Sequence, residues 1–135
     1  MITAVDTNVL LDVFGADAKF GRASQAALRE RLQVGGLVAC DVVWAEVGAA
    51  FESPSDTRFA MDRISVQFNA IGQEAALAAG KAWREYRRRG GPRDRVIADF
   101  LIGGHASVGG FRLLTRDRGF YERYFDDLEV IDPSQ

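Results

Sequence analysis

Short apolar runs alternating with longer stretches of helical periodicity constrain this chain more than any other feature. Residues 2–5, 37–40, 66–71, 112–115 and 128–131 read as strands. Between them, residues 23–34 carry Leu28 and Leu32 one turn apart, and residues 42–51 follow Asp41, placed as an N-cap. Residues 73–89 set Ala76, Ala79, Trp83 and Tyr86 on one helical stripe, and Asp94 is placed to cap residues 95–108. Strands alternating with helices argue for an α/β fold, a mostly parallel sheet covered by helices on both faces. The breakers Gly35-Gly36, Ser53-Pro54-Ser55, Gly90-Gly91-Pro92 and Gly109-Gly110 are too short to be interdomain linkers, and no repeat interrupts the pattern. Residues 1–135 therefore read as one domain.

Composition removes several classes of function. One cysteine, Cys40, and one histidine, His105, exclude a disulfide framework, the usual Cys/His zinc clusters and catalysis by paired imidazoles. The net charge of −2 supplies no general attraction to nucleic acid, so a polyanion would be held by a local feature. No apolar run reaches the ~18 residues of a membrane span, and Met1-Ile2-Thr3-Ala4-Val5-Asp6 does not resemble a secretion leader. A reduced, cytoplasmic setting is the expectation. No phosphate-cradling glycine motif is present, so no nucleotide cofactor is expected.

The carboxylates carry the chemistry. In an open parallel sheet, ligands bind beyond the carboxyl ends of the strands. Asp6 ends the first strand, where its alternative role is the N-cap of a helix over residues 8–14. Asp117 follows the fourth strand, where its alternative role is in a turn. Glu46 and Asp99 lie in helices otherwise nearly free of charge, Glu46 bordering a stripe of Val43, Val47 and Phe51. Acids in such surroundings are uncommon unless paired or metal-bound; the alternative is a carboxylate tilted to solvent. Only Arg95, one turn before Asp99, offers an in-register cation. The segments place all four acids where they can converge. At about 5 Å and an effective dielectric near 20, each pair would repel by roughly 3 kcal/mol. Such a cluster persists where cations neutralise it or some members stay protonated. An all-oxygen donor set suits Mg²⁺ or Mn²⁺, ions that recur in phosphodiester hydrolysis.

Four segments occur in a telling order: Val5-Asp6-Thr7-Asn8-Val9-Leu10-Leu11-Asp12, the Glu46 helix, Asp99-Phe100-Leu101-Ile102-Gly103-Gly104-His105-Ala106, and Leu113-Leu114-Thr115-Arg116-Asp117-Arg118-Gly119-Phe120. Together they resemble PIN-domain ribonucleases, and in size the VapC-type toxins of bacterial toxin–antitoxin pairs. The likeness spans essentially the whole chain. It implies a three-layer fold around a five-stranded parallel sheet in the order 3-2-1-4-5. It further implies a Mg²⁺- or Mn²⁺-dependent endoribonuclease, a homodimer, and an antitoxin that inserts a peptide into the cleft. The resemblance assigns the metals to Asp6, Glu46, Asp99 and Asp117, a supporting role to Thr115, and the orientation of Asp6 to Asn8. It gives a 5′-phosphate and a 3′-hydroxyl as products. Two departures stand out. Gly103-Gly104 replaces an alanine-rich turn at a helical cost of ~2 kcal/mol, which predicts an unusually close neighbour. Gly119 stands where some relatives carry a further acid.

Arg116 and Arg118, beside Asp117, are candidate contacts for RNA or antitoxin. Arg84, Arg87, Arg88, Arg89, Arg93 and Arg95 read as a solvated helix end or as a phosphate-tracking patch. Asp12, Asp94, Asp126 and Asp127 are assigned to caps, turns or solvent, and His105 to a structural or surface role. Trp44, Trp83 and Phe51 read as core rather than as stacking platforms, and residues 132–135 as a frayed tail. Two rivals to the nuclease remain. One is a catalytically inactive PIN-like module that binds RNA or protein. The other is a phosphoacceptor domain of the receiver kind, which needs a lysine after a late strand; the lysines are Lys19 and Lys81.

Overall fold

The computed structural model describes residues 1–92 and 95–134. In chain order the elements are β1 (Thr3–Val5), α1 (Thr7–Phe14), α2 (Gly21–Val34), β2 (Leu37–Ala39), α3 (Asp41–Gly48), α4 (Pro54–Arg63), β3 (Val66–Phe68), α5 (Gln73–Arg88), α6 (Ile97–Gly109), β4 (Arg112–Leu114), α7 (Arg118–Tyr124) and β5 (Val130–Ile131). The strands form one five-stranded sheet in the order β3-β2-β1-β4-β5. Every pairing is parallel, and Ala4 of β1 lies between Val38 of β2 and Leu113 of β4. This is the α/β architecture and strand order expected from the sequence. β1 and β2 are buried along their whole length, because helices cover both faces of the sheet. No helix among the described residues is long and apolar enough to cross a membrane.

The strands are shorter than the apolar runs that announce them. β3 stops at Phe68 rather than reaching residue 71, because the N–H of Ile71 donates to the Asp41 carboxylate at 2.7 Å. That bond also corrects the role given to Asp41. Cys40 occupies the N-cap of α3, and Asp41 sits in the first turn, where the helix dipole favours a carboxylate. Asp94 and Arg93 lie outside the described residues, as does Gln135; the N-cap position of α6 is Val96.

Two helices went unread in the sequence. The Ser53-Pro54-Ser55 break is the start of α4: the Ser53 hydroxyl accepts from the N–H of Asp56 at 3.1 Å, and Pro54 fills the first turn, where its missing N–H costs nothing. α7 follows Asp117 directly and buries Phe120 and Tyr121.

The contact of α5 with α6 explains two glycines. A Cβ on Gly104 would stand 2.6 Å from the carbonyl oxygen of Ala75 and 3.3 Å from the Cβ of Ala79. On Gly103 it would overlap the ring of Phe125. The close approach predicted at these positions is therefore present. It also selects the buried stripe of α5, which is Ala75, Ala79, Ala82 and Tyr86; Ala76 is exposed and Trp83 only half-buried. Small residues face glycine because only they admit the neighbouring backbone. Trp44, Trp83 and Phe51 pack against the core as expected, whereas Leu32 is exposed although Leu28 is buried.

Candidate active site

The strand order reverses between β1 and β4, and side chains just beyond those two strands converge there. The ladder runs one step past the strands, the N–H of Asp6 donating to the carbonyl of Leu114 at 2.9 Å. Asp6 and Thr115 are thereby set side by side. The Thr115 hydroxyl donates to Oδ2 of Asp6 at 2.7 Å, and the N–H of Thr7 donates to Oδ1 at 2.7 Å. Asp6 is thus both the N-cap of α1 and a member of the site; the two roles do not exclude each other. The Asn8 amide donates to Asp6 Oδ2 at 3.4 Å and to the Thr115 hydroxyl at 3.3 Å. Its oxygen accepts the N–H of Arg116 at 3.2 Å, so Asn8 ties the β4–α7 turn to α1.

The remaining acids surround this pair. Glu46 projects from exposed α3 surface and accepts the Thr7 hydroxyl at 2.7 Å. Asp99, in the first turn of α6, accepts the N–H of Val96 at 3.4 Å. Asp117 receives both arms of the Arg95 guanidinium, the second at 3.2 Å, while its own N–H donates to the Thr115 hydroxyl at 3.0 Å. Arg95 also stands 4.0 Å from Asp99 and stacks 4.2 Å from the centroid of Phe120.

Burial first, and neighbouring charge second, raises the pKa of three groups here. Asp6 is 6% exposed, and burial raises its pKa to about 6 despite hydrogen bonds from Thr115, Thr7 and Tyr121; the charge of Asp99 adds to the rise. Asp99 is raised too, first by burial, then by the charges of Asp117 and Glu46, against the pull of Val96 N–H and Arg95. Asp99 is therefore coupled to each of the other three carboxylates. Tyr121, buried on α7 and hydrogen-bonded to Asp6, is pushed well above the usual phenol range by burial and by Asp6, Asp99 and Asp117. The sequence reading missed Tyr121. The signal was available, since it falls four residues after Asp117 at the start of a short helix.

The donors are four carboxylates and a hydroxyl, all hard oxygen, which fits a magnesium-like ion. Among the described residues, however, no three His, Cys, Asp or Glu groups stand close enough to hold an ion. Arg95 occupies Asp117 instead.

The other residues singled out in the sequence lie as follows. Arg116 does not face the acids: its Nε and Nη2 donate to Asp12 at 2.7 and 3.0 Å, and it stacks 4.0 Å from the centroid of Phe20. Asp12 is neither cap nor solvent-facing; it is 5% exposed, held by Arg116 and by the Ser24 hydroxyl at 2.9 Å. Arg118 pairs with Glu122 one turn on. Asp127 accepts the Ser107 hydroxyl at 2.9 Å. His105 is buried, with Nε2 2.7 Å from the Asn69 side-chain oxygen, the structural role expected of it. Arg84, Arg88 and Arg89 join Lys81 and Arg123 along a groove of about 650 Å³, interleaved with Glu85, Asp126 and Asp127.

The fold recurs in solved structures. VapBC-1 from nontypeable Haemophilus influenzae matches at 20% identity over 100% of both chains, with a TM-score of 0.76. A toxin–antitoxin complex from Klebsiella pneumoniae matches at 21% over 97% of both chains, with a TM-score of 0.67. VapC20 of Mycobacterium tuberculosis, a toxin that cleaves the sarcin–ricin loop, matches at 15% over 94% of this chain and 98% of that one, with a TM-score of 0.56. No curated protein matches the sequence significantly. The PIN domain family model matches residues 3–126, which takes in all four acids and every strand but β5. By that match, and by the order of its strands and motifs, the chain belongs to the PIN-domain family.

Proposed function

We propose that this chain is a metal-dependent endoribonuclease, the toxin of a toxin–antitoxin pair, acting in the cytoplasm as a homodimer and inhibited by a small cognate antitoxin. The observation that supports the reading is the electrostatic coupling of Asp99 to Asp6, Glu46 and Asp117, acids from four separated stretches of chain beside the switch point of a PIN sheet. RNA as substrate is supported by the likeness to VapC20, and a protein partner by the likeness to toxin–antitoxin complexes.

Asp6, Glu46, Asp99 and Asp117 would hold Mg²⁺ or Mn²⁺. A bound ion of that kind orients water and offsets charge developing on the phosphoryl oxygens. The remaining work belongs to the protein. The Thr115 hydroxyl and the Thr7 N–H fix the two oxygens of Asp6, leaving its orientation no freedom. Asn8 links Thr115 and the β4–α7 turn to α1, which ties the placement of Asp117 to that of Asp6. Thr7 steers Glu46 toward the same cleft. Hydrolysis there forms a bond from water oxygen to phosphorus and breaks the bond to O3′, leaving a 5′-phosphate and a 3′-hydroxyl.

The test is RNA cleavage by the purified wild type, Asp6→Asn and Asp99→Asn, with Mg²⁺, with Mn²⁺ and with chelator. Cleavage by the wild type that requires a divalent ion and disappears in both variants, with circular dichroism unchanged, is the expected result. Undiminished cleavage by both variants would overturn the assignment. RNA or partner binding without divalent-dependent cleavage would replace it with a binding module.

A further inference from the structure

We infer that Arg95 is the resident counter-cation of the carboxylate site, a positioning residue that holds Asp117 in place and competes with a divalent ion for its oxygens. The inference rests on the reading of these acids as metal ligands.

Three contacts define the position. The guanidinium takes both oxygens of Asp117, stands 4.0 Å from Asp99, and lies on the face of Phe120. Its two acids come from different elements, Asp99 from α6 and Asp117 from the β4–α7 turn. Arg95 therefore bridges the two walls of the site with a single positive charge. Without a cation there, those carboxylates would repel each other across a cleft half-closed to water. The planar fork suits the task, since it meets a carboxylate at two points and tolerates stacking on an aromatic ring.

The same geometry makes the contact exclusive. A fork that engages both oxygens of Asp117 places a fixed positive charge where a divalent ion would approach. One of the two must leave. Arg95 is 28% exposed and sits ahead of α6 rather than within it, so its side chain can swing outward without disturbing a helix. Like-charge repulsion and competition for oxygens both predict that Arg95 weakens cation binding in the resting protein.

Two measurements on the full chain test this. The first is Mn²⁺ affinity by electron paramagnetic resonance for the wild type and Arg95→Met, with circular dichroism to confirm folding. Arg95→Met should bind Mn²⁺ about tenfold more tightly, the loss of one charge-assisted pair. The second uses only the wild type: nitrogen-15 spectra of the guanidinium during a Mg²⁺ titration. Hindered rotation of the Arg95 side chain should be visible without Mg²⁺ and lost at saturation. Equal Mn²⁺ affinities, or an Arg95 fork still locked at saturating Mg²⁺, would overturn the inference while leaving the metal site standing. If the wild type and Arg95→Met both fail to bind Mn²⁺ at millimolar concentration, the nuclease reading falls and this inference falls with it. Should Arg95→Met fail to fold, the wild-type titration decides.

Discussion

The burial of Asp6 makes stability of the metal-free protein depend on pH in a direction opposite to that of an ordinary salt-bridged acid. Its pKa rises from 3.8 to about 6, so between those values the folded chain holds a proton that the unfolded chain releases. Stability associated with that proton is fully present below about pH 4 and is lost as pH rises through about 6. A shift of about two units corresponds to about 3 kcal/mol. Little solvent screening reduces it, since Asp6 is 6% exposed. Asp6→Asn removes the ionisation while keeping an N-cap side chain for α1. It also removes the part of the shift that comes from the charge of Asp99. The assay is urea unfolding of both proteins in chelator from pH 4 to 7.5. Hydrogen bonds that the substituted amide cannot accept displace the whole variant curve by a constant, so the informative quantity is the change in the gap. That gap should move by about 3 kcal/mol in favour of Asp6→Asn across the window and then level off. Parallel curves from pH 4 to 7.5 would refute the argument, because they would mean that Asp6 titrates alike in both states.

Further substitutions probe the scaffold. Gly104→Ala should lower stability by about 1–3 kcal/mol in thermal melts, since the new Cβ meets the Ala75 carbonyl at 2.6 Å, whereas Gly80→Ala on open α5 surface should raise it by about 0.5–1 kcal/mol. Arg116→Met should cost about 3–5 kcal/mol in denaturant unfolding by leaving buried Asp12 without its cation, and adding Asp12→Asn should recover much of that loss. Ser53→Ala should cost about 1 kcal/mol through the lost cap of α4.

What the sequence disclosed followed from short-range rules. Short apolar runs marked the strands, and acids set in apolar surroundings marked Glu46 and Asp99. The misses arose where the partner is distant or the signal ambiguous. Asp12 and Arg116 stand 104 positions apart, beyond any helical spacing rule, and only the fold reveals the pair. Arg95 is in register with Asp99 but gives its fork to Asp117, 22 positions on, because the β4–α7 turn comes closer than its own helix. Ser53-Pro54-Ser55 reads equally as a turn and as a helix start, and the buried residues that would have decided it, Thr57 and Met61, are too few to show a period. Asp41 lost the N-cap to Cys40 by one residue because its carboxylate is needed by Ile71.

Consecutive residues after β4 face alternate ways, and that alternation reconciles a rigid turn with a cluster of like charges. Thr115 points inward and binds Asp6; Arg116 points outward and anchors in Asp12 and Phe20; Asp117 points inward again and meets Arg95. The anchor places the arginine that immediately precedes Asp117 on the far side of the backbone, where it stiffens the turn without neutralising the acids. Charge inside the site is handled instead by partners that can yield: the proton that burial favours on Asp6 below about pH 6, the Thr7 hydroxyl on Glu46, the partly exposed fork of Arg95 on Asp117. A cluster fixed by permanent internal cations would be stable and inert. Here the buried Asp12–Arg116 pair supports the scaffold and the more exposed Arg95–Asp117 pair faces the cleft, the division of labour that the proposed divalent-ion site would require.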